Sequence, residues 1–205
     1  MKNVLGFTEQ EYGFLKTLSF PARIQDFLDK LPYNLKENPD TCYSPRKVLE
    51  FKTANCREGA IFAAAALRVN GHESLMVDLV AVPDKDDDHE LAVFKKNRLW
   101  GAIAKSKFTG LQFRDPVYRT IRELVMSYFD DYYNEQGEKS LKSYSMPVNL
   151  NMFDDKNWMT SEETWFIPEY LVDVKHIKIL GERVRLRRAD TLLLKAGMLS
   201  YPKHK

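Results

Sequence analysis

Only two cysteines, Cys42 and Cys56, stand in a chain of 205 residues. They cannot make the framework of a disulfide-stapled secreted domain and suffice for one bridge at most. An excess of one charge is missing as well. Against 31 Lys and Arg stand 29 Asp and Glu, a formal net charge of +2, too small to imply a nucleic-acid or membrane partner. No apolar run reaches the ~20 residues that a bilayer-spanning helix needs, and Met1 to Gln10 lacks the apolar core of a signal peptide. Linkers, repeats and low-complexity tracts are absent, and Tyr and Trp are scattered rather than interleaved as on a base-stacking platform. These absences point to a reducing cytoplasm, where a lone cysteine is more often catalytic or buried than bridged. The 44% apolar and 29% charged content is ordinary for one folded domain with a core, here 1–205.

The most informative stretch is Thr53 to Gly71, TANCREGAIFAAAALRVNG. Ala60 to Leu67 is apolar nearly all round, so the helix is expected to be buried, with a thin surface that lets a sheet approach. Asn55 is a good N-cap and Glu58 completes a capping box. Asn70-Gly71 makes a left-handed stop. Cys56 then falls at the first helical position, where unpaired N–H groups and the helix dipole favour a thiolate, the strongly nucleophilic form. Cys42 lies in the loop Leu31 to Ser44, with no evident base nearby.

The rest of the chain reads as helices and a meander. Thr8 to Thr17, Ala22 to Leu31 and Ser44 to Phe51 read as helices. Strands are predicted at Glu73 to Val82, His89 to Phe94 and Leu99 to Lys105, parted by the acidic turn Pro83 to Asp88 and the turn Lys95 to Arg98. Pro116 is expected to open a long helix with Val117, Ile121, Leu124, Val125, Tyr128 and Tyr132 on one face. Beyond it, Ser143 to Phe153 reads as extended, Pro168 to Val174 as a short helix, Val184 to Arg188 as a strand and Thr191 to Leu199 as helical. The order predicts one α+β domain with a core at about 44–135, N-terminal helices and a C-terminal extension.

Cysteine-dependent acyl chemistry needs a thiolate, an imidazole that moves protons and a polar group that orients the imidazole. Cys56 supplies the first. Side chains alternate along a strand, so His89, Leu91 and Val93 share a face. If Leu91 and Val93 pack on the central helix, His89 is aimed at its N-terminal end. Asp115 is the candidate orienter, with Ser106 and Asp78 as alternatives. His72 follows Gly71 and belongs to the wrong end of the helix.

Cysteine opening an alanine-rich helix that ends Leu-Arg-Val-Asn-Gly, then a strand, a histidine opening the next strand, a strand with Trp100, and Asp115-Pro116, resembles the transglutaminase-like superfamily. The likeness covers about Asn55 to Val117 and sets the chain in a bacterial branch apart from the characterised members. It implies a papain-like α+β fold with the Cys-bearing helix on an antiparallel sheet, Cys56 as nucleophile, His89 as general base and acid, and Asp115 as the third member, supported by Asn55 and Trp100. Two departures stand out: the insertion Gly101 to Arg114 between Trp100 and Asp115, and Glu90-Leu91 where an aromatic residue often follows the histidine. The expected activity is hydrolysis or acyl transfer at an amide or ester carbonyl of a peptide or protein, as in a peptidase, amidase or transglutaminase, without a cofactor. The alternative is an inactive member of the fold serving as a protein-interaction domain. A metal site at Asp86, Asp87, Asp88 and His89 is a third reading, since carboxylates and imidazole are ligands, although adjacent acids in a turn are more often only solvated.

Overall fold

A computed structural model describes residues 5–35, 40–181 and 184–197. Three short helices come first, α1 (Glu9–Thr17), α2 (Pro21–Lys30) and α3 (Pro45–Phe51), followed by α4 (Cys56–Val69). The meander β1 (Leu75–Ala81), β2 (His89–Lys96) and β3 (Leu99–Ile103) follows it as the apolar pattern predicts. Then come β4 (Arg114–Tyr118), α5 (Ile121–Met126), β5 (Leu141–Ser145), β6 (Val148–Asn149), α6 (Phe166–Asp173), β7 (His176–Lys178) and α7 (Thr191–Gly197). The strands form one seven-stranded antiparallel sheet in the order β4-β3-β2-β1-β5-β7, with β6 also on β1.

The sheet separates two apolar layers. On one face Met76, Ala92, Phe94 and Ile103 pack with the alanine face of α4, with α1 to α3 and with α6. On the other, Val77, Leu79, Leu91 and Val93 pack with Leu124, Val125, Tyr128 and Tyr132. Ala60 through Leu67 is wholly buried, as a helix without a polar side must be. Gly59 permits the closest approach: a Cβ there would stand 2.7 Å from Lys105 Cβ. Lys105 is itself buried, its Nζ donating to the carbonyls of Leu28 and Leu31 at 2.7 Å each.

Three expectations are corrected. Pro116 does not open a helix but lies in β4, whose residues alternate half-buried and exposed. A strand at the sheet's edge tolerates a proline because the missing N–H faces no partner, and the residue before proline disfavours helix. The helix begins later, at Ile121, with Thr120 as its cap accepting from Glu123 N–H. It is also short. Tyr128 and Tyr132 stay buried because turns beyond Met126 preserve a spacing of three to four residues. Val184 to Arg188 is irregular rather than a strand, while His176–Lys178 is a strand that the sequence reading passed over. Only β5 and β6 in Ser143 to Phe153 are extended, and Leu150–Lys156 is a 3-10 turn. The helix expected to Leu199 runs to Gly197, its last two positions lying outside the described residues.

Candidate functional site

The N-terminus of α4 is held by Glu58. Asn55 Oδ1 accepts from Glu58 N–H and Glu58 accepts from Asn55 N–H, both at 2.9 Å, closing the expected capping box. The same buried carboxylate accepts from Thr41 Oγ1 (2.7 Å), Tyr43 N–H (3.0 Å) and Asn34 Nδ2 (3.0 Å). One side chain therefore ties the helix start to the preceding loop. Asn55 is spent on this structural work, its Nδ2 facing the Thr41 carbonyl at 3.4 Å.

Cys56 is partly buried at the junction of two clefts of about 550 and 630 Å³, both of which it borders with Tyr33, Asp87, Asp88 and Lys107. Its N–H donates to Tyr33 Oη at 3.2 Å. The thiol is pushed upward, first by loss of water and next by the negative charge and hydrogen bonding of Glu90; Tyr33 and Arg57 oppose this only in part. The expected depression of the Cys56 pKa is thus reversed. Cys42 is buried against Thr164 Oγ1 (3.2 Å), and burial raises its thiol to about 12.

Strand parity places the neighbours of the thiol. Asp78 pairs with Glu90 and Met76 with Ala92, and the latter pair touches α4. Cross-strand partners share a face, so Asp78 and Glu90 belong to the α4 side. His89 pairs with Leu79 and keeps company with Leu91 and Val93 on the opposite side. His89 does border the first cleft, but its Nε2 is bonded to the Leu111 carbonyl at 2.8 Å, and burial depresses its pKa to about 4. The condition under which His89 would aim at the helix start is not met, because Ala92 and Phe94 are the residues that pack on α4.

The other expected site residues lie elsewhere. Asp115 is exposed on β4. Trp100 pairs with Lys95, whose Nζ sits 4.2 Å from the ring centroid. Lys95 is five residues along β2 from Glu90, roughly 16 Å at strand rise. Ser106 borders the first cleft and accepts from Phe108 N–H. In the acidic turn, Asp86 accepts from Ser140 Oγ (2.5 Å) and Asp88 from Ala81 N–H (2.8 Å), so both carboxylates hold the turn. No group of three or more His, Cys, Asp or Glu converges as metal ligands among the described residues.

The thiol's actual surroundings were not singled out in the sequence, apart from Asp78 as an alternative. Glu90 reaches Arg57 Nε at 3.4 Å, and Arg57 reaches Asp40 at 3.5 Å while its guanidinium covers Trp165 at 4.8 Å. Asp78 Oδ2 stands 3.5 Å from His176 Nε2, and Asp78 N–H donates to Ser145 Oγ at 2.9 Å. A charged residue in an otherwise apolar strand was the available signal for Asp78 and Glu90; no sequence signal marks His176. Comparison of the sequence with protein-family models and with curated proteins finds no match.

Proposed function

We propose that the chain is a thiol-dependent hydrolase or acyl transferase of the transglutaminase-like kind, acting on an amide or ester carbonyl of a peptide or protein in the cytoplasm. The observation that carries this is Cys56 at the start of a buried helix, where two clefts meet. A groove with a nucleophile at its middle suits an extended chain with its carbonyl over the thiol. The lining adds Asp84, Asp86, Asp40 and Glu169 against Lys85 and Arg57, which favours positive charge near that carbonyl.

With the thiol protonated at rest, attack needs an adjacent base, and Glu90 is the carboxylate acting on it. As sulfur bonds to the carbonyl carbon, the thiol proton passes to Glu90 and the C=O electrons move to oxygen. Tyr33 Oη, which accepts from the Cys56 N–H, stands beside the thiol and donates its own O–H to that oxyanion. Glu90 then returns the proton to the leaving amine or alcohol, and water or an amine releases the acyl group by the same exchange. One observation favours the inactive alternative: the surroundings hold the thiol in its unreactive form. An activated ester separates the readings. Mass spectrometry should find an acyl group on Cys56 and none on Cys42, with Glu90→Gln slowing acylation by roughly 10²-fold or more, the usual share of a general base. If Cys56 stays unacylated or Glu90→Gln acylates at the wild-type rate, this mechanism is wrong.

A further inference from the structure

Two buried side-chain atoms have no hydrogen-bond partner among the described residues, Asp78 Oδ1 and Glu90 Oε2. Each belongs to a side chain only 7% exposed. Both residues are in register on adjacent strands and on the same face. Directly opposed side chains have Cβ atoms about 4.5–5.5 Å apart, close enough for carboxyl groups to meet. An unpaired buried acceptor is costly, and two like charges held together are more so. Both orphans are acceptors, both border the second cleft, and their atoms are too enclosed to admit a ligand without rearrangement. The donor that needs no room is a proton.

We propose that Asp78 and Glu90 share one proton as a buried acid–carboxylate pair, and that Asp78 is the positioning residue that sets how Glu90 receives the Cys56 proton. This rests on the reading of Cys56 and Glu90 given above only in its second half. The shared proton joins the two orphan oxygens and leaves the pair with a single negative charge. Transfer from the thiol makes the pair neutral, so the charge leaves the buried carboxylates as the sulfur bonds to carbon. The groups facing the pair are Cys56 and Arg57 on α4, Tyr33 and Cys42 in the loop before α3, Asp88 before β2 and His176 on β7. Arg57 Nε stands 3.4 Å from Glu90 and favours the pair's remaining charge, His176 Nε2 stands 3.5 Å from Asp78, and Asp88 opposes the charge. Burial and these neighbours raise Asp78 to about 8 and Glu90 upward as well.

Carboxyl-carbon NMR on the full chain tests this, following side-chain resonances as pH is raised. The wild type should hold one proton at neutral pH and release it near pH 8, with Asp78 and Glu90 shifting together, because a coupled titration belongs to the pair. Asp78→Asn should lower the pH at which Glu90 titrates, and Glu90→Gln should do the same for Asp78, while burial keeps each above the ordinary carboxylate range. If both wild-type carboxylates are ionised at neutral pH, or if Asp78→Asn leaves the Glu90 titration where it is in the wild type, there is no shared proton. The wild-type titration decides alone if a variant does not fold. In parallel, the pH profile of Cys56 alkylation should carry an inflection near pH 8 that Asp78→Asn removes; a purely structural Asp78 would leave it in place. An intact shared proton without that inflection would refute the link to Cys56 and leave the pair standing, while an unreactive Cys56 refutes the function and not the pair.

Discussion

A thiol at the first position of a helix gains about 0.3–1 kcal/mol from the helix dipole, and ~2 in the best partly buried cases. Loss of water around the thiol, and next the charge of Glu90, outweigh that, which is why Cys56 moves up. At Asp115 the balance is simpler. Its side chain is exposed on an edge strand, and Thr120 caps the helix that follows. Asp115→Asn should therefore leave stability within about 0.5 kcal/mol, as for most surface changes, and leave Cys56 alkylation as in the wild type. Urea melts and peptide mapping measure both. Loss of Cys56 reactivity in a folded Asp115→Asn would bring the aspartate back into the site.

At the scale of the element, α4 depends on being thin where the sheet-end lysine crosses it. Gly59→Ala improves helix propensity by about 1 kcal/mol, but its Cβ would meet Lys105 Cβ at 2.7 Å. That is not the far end of a flexible side chain, and moving it disturbs the two bonds that Lys105 makes to the carbonyls at the end of α2. Overpacking costs about 1–3 kcal/mol. The net change should be a loss of about 1 kcal/mol in urea denaturation; a stabilised Gly59→Ala would show that Lys105 yields freely. For α5, Thr120 with Glu123 three residues on is a capping signal legible in the sequence. The expectation of a helix from Pro116 instead read one apolar spacing across two elements.

For the whole molecule, the buried groups predict how stability follows pH. Asp78 keeps its proton in the native state up to about pH 8, while the unfolded chain loses it near 3.8. Native protein binds more protons across that window, so this contribution to stability falls as pH rises. His89 runs the other way: the unfolded chain binds a proton below about 6.5 that the native state refuses until about 4. Its contribution rises with pH from 4 to 6.5 and is lost on acidification. The two slopes oppose each other below 6.5. Relative to wild type, His89→Gln, whose amide can still donate to Leu111 O, should be increasingly favoured as pH falls from 6.5 to 4. Asp78→Asn should be increasingly favoured as pH rises from 4 to 8. Denaturant midpoints in a series of buffers measure both differences, and parallel profiles for all three proteins would contradict the burial of these groups.

The alanine run, the capping box at Asn55 and Glu58, and the meander after Gly71 were decided locally, by periodicity and by groups three residues apart, so the sequence alone determined the Cys-bearing helix and the first three strands. What gathers at the thiol was decided by pairing. Whether His89 or Glu90 faces α4 depends on strand parity against a distant core, and neighbouring residues on a strand always face opposite ways. Asp78 meets Glu90 only through the register of β1 on β2, and His176 arrives from 98 residues along the chain because β7 pairs with β5 beside β1. Composition and spacing carry no record of register between strands so far apart. The tertiary structure therefore set the two carboxylates on the α4 face with Cys56 and the expected histidine on the opposite face.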